Sequence, residues 1–246
     1  MNKTGLFEET EKEALIDTAD ITGLFELSVD AYYTALYARM SCLPVKEEIS
    51  RFIEKVKNSC RHVSAGKSAA GKHGAGKPAG EDRMAAARAA SDRGDPDVLT
   101  VQKAAGNVLH EIHRLTGLLR FSPDKDGIYI ARCAPDHFIL PALAEHFTLR
   151  FGGTPWAIID EKRNLCLFCE KGRAARLEPL SSFASQIFTS NENTDDFWED
   201  LWRLYHRSIN NEGRKNLRLQ RQLMPERYQK YLTEIASKKM NDPTEG

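Results

Sequence analysis

The chain has 246 residues, an ordinary apolar share and equal numbers of basic and acidic side chains, so its formal net charge is zero. That length supports one large domain or two small ones with a real core, and neutrality excludes a surface that is basic throughout, leaving any nucleic-acid contact to a local patch. No apolar run approaches membrane-spanning length, and the acidic start Met1–Glu9 lacks a signal-peptide core.

The five cysteines (Cys42, Cys60, Cys133, Cys166, Cys169) are odd in number and without scaffold spacing, which fits a reducing cytoplasm. The expectation is a soluble cytoplasmic protein with no membrane contact. Residues Ile21–Arg39 read as one helix, and Val45, Ile49, Phe52, Ile53 and Val56 form the apolar stripe of the next. From about Ser64 to Gly94 the texture turns to Gly, Ala, Ser and Lys, which buries too little surface to offset chain entropy and predicts a flexible linker. Gly66-Lys67-Ser68 resembles the tail of a phosphate-binding loop, but Arg61 stands where that loop needs its first glycine, so low complexity is the better explanation.

Asp95-Pro96 restarts order with a cap and a proline suited to the first helical position. Val98, Val101, Ala105, Val108, Leu109, Ile112 and Leu115 make the stripe of a helix that Gly117 should stop. Leu118–Phe121 and Ile128–Cys133 read as a hairpin around Pro123–Gly127. Asp136 is placed to cap a helix running to about Phe151, starting near Leu140 or kinked at Pro141, with Gly152-Gly153 behind it. Trp156–Asp160 and Leu165–Cys169 make a second hairpin. Later helices are expected from Thr194 to about Ile209, from Leu217 to Leu223, and from Pro225 onward.

The fold class is therefore α+β: a small antiparallel sheet from two hairpins, in a helix-β-β-helix-β-β core, packed with N- and C-terminal helices. The domains are an N-terminal helical segment (1–63), a linker (64–94), an α+β domain with a helical C-terminal part (95–236) and a disordered tail (237–246).

Two sets of residues carry chemistry. His113, Arg120, Asp136, His137, His146 and Asp160 are candidates for a catalytic pocket, since imidazole titrates near neutrality and a carboxylate can orient it. Their spacing fixes no metal ligands on one face, and Cys166 and Cys169, three apart on a strand, point to opposite sides. No metal or other cofactor is called for. The second set lies between Arg203 and Lys230, where eight cations and two acids leave a net of +6, with Tyr205, Tyr228 and Tyr231 nearby. Cations interleaved with aromatics suit a phosphate backbone and exposed bases.

Several segments, taken in order, carry a resemblance: Glu111-Ile112-His113-Arg114, Gly117–Phe121, Pro135-Asp136-His137 with Ile139-Leu140-Pro141, and His146-Phe147 with Arg150-Phe151. Trp156, Ile158–Asp160 and Arg163 follow, then Tyr205–Asn210, Arg214, Asn216, Met224–Tyr228 and Tyr231-Leu232. From Asp95 to Glu234 the chain resembles a prokaryotic family labelled as DNA-metabolism or DNA-repair proteins and built on a domain of unknown function. It departs at Thr116 and Leu118, where a basic residue and a phenylalanine are more usual.

The resemblance implies a radical-SAM DNA-repair-like partner, DNA as a second partner, and in some members fusion to a uracil-DNA-glycosylase-like domain. No stretch here resembles that glycosylase, and the three-cysteine cluster motif is missing, so iron–sulfur chemistry would belong to the partner. The cations assigned to DNA are Arg114, Arg150, Arg163, Arg207, Arg214, Lys215, Arg218, Arg221 and Arg227. The competing readings are a stand-alone enzyme with a His/Asp/Arg pocket and a protein-interaction module that never touches DNA. Helical geometry also sets Arg150 beside Leu143 and Phe147, and a guanidinium on that face is expected to pair with Asp160.

Overall fold

The computed structural model describes residues 18–65, 80–187, 201–202, 204–205, 208–209, 211–214 and 216–236. They fall into two compact units, a helical one built on Glu8–Glu111 with Asp136–Phe138, and a sheet unit built on Ile112–Pro135 and Ile139–Gly246.

In the helical unit the expected Ile21–Arg39 helix is two, α1 (Leu24–Leu27) and α2 (Val29–Arg39). Ser28 between them is extended, and its hydroxyl accepts the Ala31 N–H as the N-cap of α2. Helix α3 (Lys46–Ala65) lays Ile49, Phe52, Ile53 and Val56 into the core. It packs with α4 (Gly80–Ser91), whose Ala86 and Ala90 are buried, and with Val98, Val101, Ala104 and Ala105 of α5 (Pro96–Leu118).

Helix α4 corrects the linker expectation over its length. Alanine-rich sequence carries little apolar area, but alanine is also the best helix former and lets helices approach closely. The earlier part of that stretch, 66–79, lies outside the described residues, as do 1–17 and the tail 237–246.

Asp95 caps α5 as expected, its Oδ1 accepting the N–H groups of Asp97 (2.9 Å) and Val98 (3.2 Å). The Lys55 ammonium from α3 reaches the same turn, 2.8 Å from Asp97 Oδ2. Gly117 does not stop the helix. It keeps negative φ, and α5 runs on to Leu118. The exposed Gly117 carbonyl is met instead by Arg120 Nη1 at 2.8 Å.

The sheet unit holds five strands in the order β1 (Ser122–Pro123), β2 (Tyr129–Cys133), β3 (Trp156–Asp160), β4 (Leu165–Cys169) and β5 (Arg176–Pro179). The class is α+β with a small sheet, as expected, but the sheet is mixed. β2 and β3 are parallel, in register from Tyr129↔Trp156 to Cys133↔Asp160, while the other neighbours are antiparallel. Helix α6 (Leu140–Phe151) is the crossover that parallel neighbours require.

The first hairpin is shorter than expected, because Leu118 belongs to α5 and β1 is two residues long. Helix α6 starts at Leu140 with Pro141 in its first turn, where the missing N–H is harmless. Its N-cap is Ile139, so Asp136 does not cap it, and Gly152 ends it in the left-handed region at φ 56°.

All five residues of β3 are buried, since the sheet is covered on both faces. On one face Trp156 meets Phe147 and Phe151 of α6, with Phe121 and Tyr129 completing the aromatic cluster. On the other, Ala157, Ile159, Cys166 and Phe168 pack with Phe183 of α7 (Leu180–Ile187). The expected helix beginning at Thr194 falls mostly outside the described residues, of which 201–202, 204–205 and 208–209 are helical. Helix α8 (Leu217–Leu223) has its expected bounds, and α9 (Glu226–Gln229) follows Pro225, then α10 (Thr233–Ala236).

Candidate functional site

In the helical unit a buried carboxylate organises the loop that carries two of the candidates. Glu111 of α5 is only 2% exposed, and its two oxygens accept the backbone N–H groups of Asp136 (2.9 Å) and His137 (2.7 Å). His137, itself buried, accepts the Cys42 N–H at Nδ1 (3.0 Å), and the Phe138 N–H reaches the Met40 carbonyl (2.9 Å). An imidazole that accepts at Nδ1 carries its proton on Nε2 and is neutral. Its Nδ1 lone pair is thus spent on fixing the 40–42 segment rather than on a substrate.

In the sheet unit Asp160 ends β3 and is fully buried. Its Oδ1 accepts the N–H groups of Lys162 (2.9 Å) and Arg163 (3.2 Å), and its Oδ2 takes Arg163 Nη1 at 2.8 Å. The same Nη1 lies 3.0 Å from the Pro135 carbonyl. Asn164, left-handed at φ 53°, completes the turn into β4. Arg163, assigned above to DNA, is thereby committed to the hairpin.

Glu161, next along, accepts from Tyr231 Oη (2.6 Å) and Lys230 Nζ (3.3 Å), with Arg132 Nη1 at 3.6 Å. The Tyr231 hydroxyl, helped by Lys230 and Arg132, holds the Glu161 carboxyl below its usual range. Burial first, and then the bond to Glu161, push the Tyr231 phenol up to about 12.

The expected Arg150–Asp160 pair is not formed. Asp160 is taken by Arg163, and Arg150 is exposed. In the last turn of α6 the inward position goes to Phe151, whose ring stacks on Trp156 at 6.2 Å. His113 is exposed on α5, as is His110. His146 is exposed on α6, edge-on to Phe147 at 4.8 Å. Four of the six catalytic candidates thus enter separate hydrogen-bond systems, Asp136 and His137 through their backbone N–H groups that of Glu111, Asp160 that of Arg163, and Arg120 the end of α5, while His113 and His146 are exposed.

No group of three or more His, Cys, Asp or Glu that could hold a metal occurs among the described residues. Burial raises the thiol pKa values of Cys166 and Cys169, which suits packing rather than nucleophilic chemistry.

A family model for a domain of unknown function, DUF4130, matches residues 83–234, more than half of the chain. The chain belongs to the DUF4130 family. No curated protein and no solved structure matches it. The DUF4130 region opens inside α4, so most of that helix is part of the family domain rather than a tether to it. It takes in Glu111, His137 and Asp160, whereas Met40 and Cys42 lie outside and contribute backbone groups only.

At the C-terminal end of the DUF4130 region, Arg214, Arg218, Arg221 and Arg227 are exposed. Arg221 lies 3.8 Å from Glu226, and the Arg227 guanidinium sits 4.8 Å from the Tyr228 ring centre. Arg114 is half-buried, and Arg207 and Lys215 lie outside the described residues. Of the tyrosines counted with this segment, Tyr228 is buried, Tyr231 is tied to Glu161 and Tyr205 is open. Sequence reasoning missed Glu111, although the signal was present: it stands on the buried stripe between Val108 and Leu115.

Proposed function

We propose that this DUF4130 chain is a DNA-binding protein of DNA metabolism that presents DNA to a radical-SAM partner. The observation that carries the reading is the run from Gly213 to Pro225, which contains no acid and exposes Arg214, Arg218 and Arg221. In a neutral chain, such a run concentrates positive charge where a polyanion can displace its counterions. The family resemblance supplies the setting.

Binding of the full chain to labelled DNA should weaken steeply as salt rises. Replacing Arg214, Arg218 and Arg221 together with Gln should flatten the log–log salt dependence by about 2–3, roughly 0.7–0.9 for each phosphate no longer neutralised. Undetectable binding at low salt, or a slope unmoved by the triple change, would overturn the proposal.

A second reading has its own observation. Leu217, Leu219 and Leu223 are all about half exposed on the same helix, α8, and favour a protein partner there. Co-purification with the radical-SAM protein that survives nuclease, with no affinity for DNA, would establish that reading in place of the first.

A further inference from the structure

Arg150, whose expected partner Asp160 is taken by Arg163, belongs to a pattern on the outer face of α6. The inner face of that helix, Leu140, Leu143, Ala144 and Phe147, is buried. Turned away from it stand Glu145, His146, Leu149 and Arg150, all exposed, with Ala142 half-buried on the same side. Leu149 is 77% exposed, the most open large apolar side chain among the described residues. No ion pair engages Glu145 or Arg150 among the described residues. Standing five apart on opposite flanks of Leu149, the two cannot meet on their own helix, where partners are three or four residues apart.

That order of acid, seam and base is the one that pairs two helices side by side. Ala142, His146 and Leu149 have the alternating four- and three-residue spacing of a coiled-coil seam, and Glu145 and Arg150 occupy the positions that flank it. When two such helices lie parallel about a two-fold axis, the residue on one flank meets the residue five places further on in its mate. Glu145 then faces Arg150 of the second copy, and Arg150 faces the second copy's Glu145, so the surface is complementary to itself. Leu149 packs in the seam, and His146 meets its counterpart in a polar layer of the kind that fixes register at a cost in stability. Antiparallel helices would instead set acid against acid on one flank and base against base on the other. We propose that the outer face of α6 is a docking surface for a second copy of this chain, paired in parallel about a two-fold axis. A single 12-residue helix is a small contact, which makes the pairing weak and reversible. The inference goes beyond the DNA-binding reading and does not depend on it.

The test is sedimentation of the full chain without DNA, over concentrations up to its solubility limit. The average mass should rise from one chain towards two. Glu145→Arg and Arg150→Glu, each alone, put like charges on both flanks of the parallel pair and should weaken association by about tenfold or more. Mixed with each other, these two variants should associate again, and a chain carrying both changes should associate as the wild type does. Leu149→Asp should stay monomeric while its thermal unfolding at high dilution matches the wild type, since the side chain is exposed. A wild-type chain that stays monomeric throughout would overturn the proposal. So would single charge variants that associate as the wild type does, a mixture or double variant that stays monomeric, or a Leu149→Asp chain that still pairs.

Discussion

Glu111 stands where the spacing of α5 asks for an apolar side chain, three residues after Val108 and four before Leu115. It is tolerated there because both carboxylate oxygens accept backbone N–H groups, those of Asp136 and His137. Glu111→Ala should leave those donors unmet and lower stability by about 2–4 kcal/mol, and Glu111→Gln, which keeps one acceptor, by about 1–3 kcal/mol. Denaturant midpoints read both, and a Glu111→Ala protein as stable as the wild type would refute this role. Asp160 poses the same problem with a different answer, since one of its oxygens takes two backbone donors and the other takes Arg163. Arg163→Ala should cost about 3–5 kcal/mol by stranding a buried charge, whereas Arg150→Ala should stay within about 0.5 kcal/mol. Thermal unfolding of the two variants checks the contrast, and equal shifts would sink it. Helical arithmetic picked out Arg150 and passed over Glu111. Both break an apolar stripe, but whether the break is buried depends on which neighbour turns inward, and Phe151 takes that place in α6.

Elements whose determinants are local were legible. The β3–β4 hairpin, α6 with its glycine stop and α8 all follow from periodicity and breakers close at hand. The parallel partnership of β2 with β3 was not, because Ile128–Cys133 carries the same alternation whichever neighbour it finds. Helix α4 was hidden by composition, and β5 by its short, polar sequence Arg176-Leu177-Glu178-Pro179. The tie from Tyr231 to Glu161, between the C-terminal helices and the end of β3, was equally invisible, since 70 residues separate its partners. That tie has a pH signature. The Tyr231 phenol is raised from an ordinary 10.0 to about 12, so its contribution to stability is whole below pH 10 and disappears as pH rises to about 12. Glu161 is held below its ordinary 4.5, so its contribution is present above that pH and is lost on acidification. Denaturant midpoints followed from pH 10 to 12 should fall more steeply for the wild type than for Tyr231→Phe. Parallel declines would show that the bond contributes nothing.

Zero net charge conceals an uneven distribution, with acids and bases paired around the Asp95 turn and Glu161 and with Arg214 and Arg218 exposed at and just before α8. The candidate site was legible as a list of unusual residues and not as an arrangement. Hydrogen bonds to backbone groups, which settle the roles of Glu111, His137 and Asp160, leave no mark on side-chain spacing. The strand order carries a consequence of another kind. Each strand of the sheet lies beside the one that precedes it in the chain, and the widest step, from Tyr129 to Trp156, spans only α6 and its turns. Pairings so close in sequence cost little loop entropy and favour rapid folding. During synthesis, every strand after the first emerges to find its earlier neighbour already made, so no sheet edge waits for a partner from the far end of the chain.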